Sequence, residues 1–405
     1  MQRKTYIKLI LILGSMTALG PFSIDMYLPG FSAIADDLNT TVNNVSLSLS
    51  SYFIGISAGQ LLYGPLLDRY GRKKPLYLGL AVYVLASLGC ALVTNIDMFI
   101  LLRFIQAVGS CAATVAAMAM VRDLFPVHDS PKVFSLLMLV VGLSPMLAPT
   151  IGGYVIAGIG WHWVFFILML MGAAVLAAAY FGLPQTRKPD LSISLKPRPI
   201  IENFISVLKV PQFTTYALSG GVAFMGLFTY VAGSPILFMD IFHTDEKTYG
   251  WIFAFMSLSF IGGSQFNTLM LRYYKSEQLV FAALISQFII GLAFLLLAYA
   301  EALDLYGTIA MLFLFLACLG VANPNTSGLS LAPFSRNVGS ASALMGALQL
   351  GLGALASVAV GIFVKASMVP MVVIMVVGTA LALLVLIIGR RKIRQDVVEN
   401  RQSLV

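Results

Sequence analysis

Apolar runs of about 20 residues, separated by short polar connections, recur from one end of this chain to the other. A helix rising about 1.5 Å per residue needs that length to cross the hydrocarbon core of a bilayer. The pattern predicts twelve membrane-spanning helices, near 6–29, 45–66, 75–94, 98–121, 132–156, 161–183, 213–238, 248–271, 278–299, 306–330, 339–363 and 368–389. Polar "NPNTSG" and "GSASALMG" blur the edges of the tenth and eleventh. A short amphipathic helix is predicted at 200–209, within the longest internal polar segment, Leu183–Gln212.

Composition agrees with the pattern. Of 405 residues, 59% are hydrophobic and 10% charged, against roughly a quarter charged in an ordinary soluble protein. The expected class is an all-α integral membrane protein. The net charge of +8 would suggest nucleic acid in a soluble chain, but its placement gives it another meaning. With the N-terminus inside, 22 of the 25 Lys and Arg fall on the cytoplasmic side, and only Lys247 and Lys365 face out. That asymmetry is the positive-inside rule, and it predicts both termini in the cytoplasm of a plasma (inner) membrane protein without a nucleic-acid partner. The start "MQRKTYIK" has the look of a signal peptide, but Pro21 and the length of the run favour an uncleaved first span.

Displacing the sequence by 203 residues lays Leu66, Arg69, Tyr70, Arg72 and Leu76 onto Leu269, Arg272, Tyr273, Lys275 and Leu279. The spans therefore divide into two diverged copies: a six-helix bundle at 1–183, a cytoplasmic linker at 184–211, a second bundle at 212–392 and a tail at 393–405. Paired six-helix halves are one way that secondary transporters are built. Two halves in one chain make a monomer sufficient.

Cys90, Cys111 and Cys318 lie in predicted spans, and His128, His162 and His243 lack ligand spacing, so neither a disulfide framework, a metal site nor a cofactor is expected. No nucleophile–base set or phosphate loop argues for an enzyme. Two charges fall well inside spans, Asp25 and Arg103. Each lies about five residues from the expected outer end of its span, roughly 7–8 Å deep, so the two are placed to meet. A permanent bridge would staple helices. Alternatively Asp25 carries a proton: burial favours the neutral acid, a nearby guanidinium favours the carboxylate, and small changes in geometry or hydration would then load and unload it. Arg103 itself stays charged.

Arg103, Ala107, Ser110, Thr114 and Met118 share a face of small or weakly polar residues, which either lines a cavity or lets another helix approach. Phe22, Asp25, Tyr52, Ser110, Met118, Phe224, Met225 and Tyr230 are candidate contacts for a small-molecule substrate, with Asn323, Asn325 and Gln349 as hydrogen-bonding groups. Ordinary packing is the competing reading of each.

Six segments carry a family resemblance. "GPLLDRYGRKKPL", Gly64–Leu76, closely resembles the signature after the second helix of the major facilitator superfamily. The resemblance implies a latch of Gly64, Asp68, Arg69, Gly71 and Arg72 with Arg122 and Asp123. "LLRFIQAVGSCAA" is similar to the fourth-helix motif of proton-coupled facilitators, with Ala107 where glycine is commoner. "GLSPMLAPTIGG" resembles the fifth-helix antiporter motif, and Gly142, Pro145, Pro149, Gly152 and Gly153 would form a gate there. "SIDMYLPG", "WHWVFFIL" and "AGSPILF" resemble the Bcr/CflA drug efflux group. Together they imply proton-coupled export of compounds such as bicyclomycin, phenicols or sulfonamides by alternating access, with Asp25 and Arg103 as the coupling pair. Thr17 stands where some related pumps carry a second acid. Export of a metabolite such as an amino acid or nucleoside, or proton symport, is the alternative.

Overall fold

The computed structural model of the protein describes residues 3–126, 130–186, 189–190, 197–334, 338–363 and 367–402. His128, Lys365 and the side chain of Arg122 lie outside the described residues. Among the described residues every regular element is helical: α1 (Arg3–Asp25), α2 (Phe31–Asp37), α3 (Val42–Arg69), α4 (Lys73–Leu92), α5 (Ile96–Leu124), α6 (Ser130–Ile159), α7 (His162–Gly182), α8 (Pro197–Leu208), α9 (Pro211–Pro235), α10 (Glu246–Met270), α11 (Ser276–Tyr299), α12 (Leu305–Leu331), α13 (Val338–Phe363) and α14 (Val369–Gln402). A 3-10 turn at Leu28–Gly30 joins α1 to α2, and a π-helical turn at Ile236–Ile241 follows Pro235 at the end of α9.

Polar side chains start several helices by accepting from backbone N–H groups that have no partner within the helix. Thr41 accepts from Asn44 at 3.3 Å, Asn95 from Asp97 at 2.8 Å, and Asp304 from Gly307 at 2.7 Å. Eleven spans among the described residues are both long and apolar enough to cross a membrane. α10, in the position of the expected eighth span, has the length, but Ser257, Ser259, Ser264, Gln265, Asn267 and Thr268 keep it below that apolarity. α8 covers most of the short helix predicted in the linker and packs Val207 beside Phe213 and Leu344.

The first span departs most from expectation. Pro29 and Gly30 suggest its end, yet they make only one tight turn, and the span runs on to Asp37. Asp25, the last residue of α1, therefore sits at this break, twelve residues of chain before Asp37. Arg103 lies seven residues into α5, about 10 Å from its start.

The chain forms two compact units, Met1–Lys196 with Ser234–Ser257, and Pro197–Gly233 with Leu258–Val405. In the first, α5 packs against both α3 and α4, and α1 against α6, α5 and α7. A Cβ on Gly109 would fall 2.6 Å from the backbone N of Tyr83, so α4 and α5 meet backbone to backbone there. A Cβ on Gly55 would fall 2.7 Å from the Cβ of Ala107, which shows that the small face of α5 serves close approach by α3 at that point. In the second unit α11 packs against α12 and α14, around Tyr216, Val280, Leu284, Leu319 and Leu386. The start of α4 at Lys73, displaced by 203 residues, falls on Ser276, the start of α11.

Candidate functional site

α1 stops at Asp25, and the carbonyls of its last turn need partners from outside the helix. Met26 N–H supplies one, donating to Phe22 O at 3.0 Å. Arg103 supplies another: its Nη2 donates to Ser23 O at 2.8 Å. A fixed cation at a helix C-terminus is also favoured by the helix dipole. The guanidinium is fully buried and stacked between the rings of Tyr27 and Tyr52, each 4.3 Å from its centre, with Phe165 at 5.7 Å. Cation–π attraction of this kind strengthens when water is excluded. Nη1 donates to Gln106 Oε1 at 2.5 Å, Gln106 Nε2 donates to Ser87 Oγ at 2.8 Å, and Ser87 Oγ donates to Tyr83 O at 2.7 Å. The cage rings are tied in turn, Tyr27 to Ser48 at 3.0 Å and Tyr52 to Ser110 at 2.9 Å.

Asp25 is only 4% exposed. Among the described residues no ion pair joins it to Arg103, which corrects the expectation of a direct bridge. The reason is geometric: the guanidinium is committed to the Ser23 carbonyl and Gln106 and held by two rings. Of the substrate candidates in the first unit, Tyr52 and Ser110 are buried in this network, whereas Phe22 and Met118 are half-buried.

The glycine-rich end of α6 abuts the residue after Asp25. A Cβ on Gly152 would fall 1.9 Å from Met26 O, and one on Gly153 would fall 2.3 Å from Glu246 O. Thr150 Oγ1 donates to Met146 O at 2.8 Å and to Gly250 O at 3.1 Å. Pro149 is buried, Pro145 half-buried, and Gly142 has open space where a Cβ would stand. In the loop after α3, Gly71 takes φ 80°, a conformation that favours glycine. Arg72 forks between two carboxylates, Nη1 to Asp68 Oδ1 at 2.8 Å and Nε to Asp123 Oδ2 at 2.9 Å. Arg69 instead lies over the Tyr70 ring at 5.8 Å, and Gly64 has no neighbour that a Cβ would meet.

In the second unit Asn325 Nδ2 donates to Asn267 Oδ1 at 2.6 Å, and Gln349 Nε2 to Asn323 Oδ1 at 3.1 Å. Phe224 meets the rings of Phe228 and Phe260 edge-on at 5.3 and 6.0 Å. Tyr230 is buried and Met225 half-buried.

The sequence description of the Major Facilitator Superfamily matches residues 13–358. The chain belongs to that superfamily. It is 33% identical over 376 residues, 92% of this chain and 93% of the relative, to "Uncharacterized MFS-type transporter YdgK" of Bacillus subtilis. It is 31% identical to "Bicyclomycin resistance protein homolog" of Haemophilus influenzae, covering 87% of this chain and 88% of that one. "Multidrug resistance protein MdtL" of Shigella flexneri is 30% identical, over 90% of this chain and 94% of the relative. A crystal structure of a D-xylose-proton symporter shares the fold at TM-score 0.74 and 14% identity, over 93% of this chain and 97% of that one. This facilitator is thus a multi-pass membrane transporter of small molecules and not an enzyme.

Sequence reasoning about the facilitator missed Tyr27, Ser23, Gln106, Ser87, Tyr83 and Asn267. Gln106 had a usable signal, since it follows Arg103 by three residues on α5 and so shares its face. Tyr27 lay two residues beyond Asp25 in a segment taken for the end of the span, and nothing in the sequence indicated that its ring would stack on α5.

Proposed function

We propose that this facilitator is a proton-coupled efflux antiporter. It exports small drug-like molecules, of the bicyclomycin, phenicol or sulfonamide kind, from the cytoplasm across the inner membrane, acting as a monomer with both termini inside. The names of two relatives, for bicyclomycin resistance and multidrug resistance, support the cargo class. The observation that carries the coupling is Asp25, a buried carboxyl at the break in the first span with no described cation in ion-pair contact. An isolated carboxyl in such a place is neutral only when it holds a proton, and exposure to water on either side lets that proton leave.

In this reading alternating access moves Asp25 between the two aqueous phases. A proton taken from outside accompanies the return of the empty carrier, and cargo taken from inside accompanies its release. Arg103 acts on Asp25 through the backbone, by fixing the carbonyl end of α1 two residues earlier. We assign cargo contacts to Phe22, Tyr52, Ser110 and Met118 in the first half and to Phe224, Met225, Tyr230, Asn323, Asn325 and Gln349 in the second. Asp68, Arg72 and Asp123 act as the latch, and the Pro149–Gly153 stretch of α6 as the gate.

Reconstituted vesicles with an imposed pH gradient test the proposal. Adding bicyclomycin or chloramphenicol should drive proton flux with the unaltered protein and leave the gradient intact with Asp25→Asn. Uphill accumulation of either drug by Asp25→Asn in response to the gradient would overturn the coupling role.

A further inference from the structure

A groove of about 660 Å³ opens on the outer face of the first unit, between the start of α1 and the end of α7. Its walls are apolar, with Ile7 48%, Leu11 67% and Phe181 81% exposed, and two cations, Lys4 and Lys8, stand one helical turn apart at its rim. No acidic residue lines it, and among the described residues neither lysine is paired with a carboxylate. The floor is tight, since a Cβ on Gly182 would fall 2.3 Å from Ile12 Cδ1 and 3.2 Å from Lys8 Cε. Gly182 therefore lets the stem of Lys8 lie along the end of α7 with its ammonium at the rim.

Apolar walls of this exposure in a membrane protein face acyl chains, and lysines at a span end extend their ammonium groups into the headgroup layer. Both lysines sit on the strongly basic side of the molecule, the side of Arg69, Arg72, Lys73 and Lys74. Unpaired cations above an acid-free apolar groove complement one kind of molecule, a negative headgroup on a long hydrocarbon tail.

We propose that this groove binds an anionic phospholipid, its phosphate held by Lys4 and Lys8 and an acyl chain laid along Ile7, Leu11 and Phe181. A lysine pair that merely offset the dipole at the C-terminal end of α7 would be indifferent to lipid charge. A groove that served only as a generic lipid contact would be indifferent too.

The test uses the full-length protein in nanodiscs with a tryptophan reporter, Phe181→Trp, read as the difference from the unaltered protein with its Trp161, Trp163 and Trp251, and measures quenching by brominated phosphatidylglycerol against brominated phosphatidylcholine. A control reporter, Leu85→Trp, sits at an exposed position of α4 away from the groove. At about five-fold per lysine, the Phe181→Trp reporter should prefer phosphatidylglycerol by roughly ten-fold or more. The Leu85→Trp reporter should show little preference. Replacing both lysines, Lys4→Gln with Lys8→Gln, should collapse the preference, and Lys4→Arg with Lys8→Arg should keep it. Equal preference at the two reporters, or a preference that survives the glutamine pair, overturns the site. The comparison of reporters needs no lysine variant and no transport measurement, so neither a folding defect nor a failure of the proposed function obscures it.

Discussion

Arg103 donates to the backbone carbonyl of Ser23 at 2.8 Å, and no described ion pair joins it to the carboxyl of Asp25 two residues further on. A buried ion pair couples its members strongly: removing one partner costs about 3–5 kcal/mol. A guanidinium that caps a helix end two residues away couples to the neighbouring acid only indirectly, through the backbone it fixes. Arg103→Lys keeps the charge but loses the planar fork, so it should destabilise the protein by about 2 kcal/mol through the hydrogen bonds to Ser23 and Gln106. A double-mutant cycle of Arg103→Gln, which removes the charge, with Asp25→Asn, measured by unfolding in detergent, should give a coupling below about 0.5 kcal/mol. A coupling of several kcal/mol would mean that the two groups pair after all.

The glycines of the first unit separate into those that packing requires and those that it does not. Gly109→Ala places a methyl 2.6 Å from the backbone of Tyr83 and 2.7 Å from Gly79 O, where neither helix can yield without moving its neighbour. That substitution should destabilise by about 1–3 kcal/mol. Gly64→Ala meets nothing and removes a flexible residue from the interior of α3, so it should be neutral or stabilising by up to about 1 kcal/mol. Thermal melting of the two variants in one detergent checks the contrast. If Gly64→Ala folds normally yet transports poorly, the role of Gly64 in the motif is in movement rather than packing.

Most of the helix ends were legible because membrane length and hydropathy are coarse, strong signals, and polar caps such as Asn95 and Asp304 mark the starts. The misplaced end was that of the first span, because a Pro-Gly pair usually stops a helix and here makes only one 3-10 turn. The expected contact between Asp25 and Arg103 failed for another reason, since the guanidinium is taken by Ser23 O and Gln106. Candidate residues could be found from the cost of charge in hydrocarbon, which is local. Their partners could not, since Tyr27, Tyr52 and Ser23 reach Arg103 only through the packing of α1, α3 and α5. The Asn267–Asn325 pair was half visible for the same reason, with Asn325 noticed and its partner on α10 not.

Arg72 holds Asp68 and Asp123 through different nitrogens, so the two carboxylates share one cation. Their losses should therefore not add. Asp68→Asn and Asp123→Asn should each cost about 1 kcal/mol or less, because the side chain of Asp68 is 40% exposed and water screens the pair. Asp123→Asn should be the larger, its side chain being 20% exposed and also accepting from Thr186. Arg72→Lys should slow transport more than either, since one ammonium cannot reproduce a fork from two nitrogens. Transport rates of the three single variants and the Asp68/Asp123 double variant decide this. Strict additivity in the double would show that sharing Arg72 does not couple the two acids.

Asp245 caps the start of α10, where its Oδ1 accepts from Thr248 N–H at 3.1 Å. Hydrogen bonds from Thr248 hold its carboxyl below the ordinary value of 3.8. A group depressed in the folded state gives its stabilisation in full above its unfolded value, and that stabilisation is lost as pH falls through the folded value. The window thus lies below about pH 4. Asp245→Asn keeps a side-chain oxygen for the cap, so transport should retain its unaltered pH profile between pH 5 and 8. Amide exchange at Thr248 in the unaltered protein should report looser capping only in stronger acid. A shifted transport profile in Asp245→Asn would place a coupling proton at this helix start instead of at Asp25.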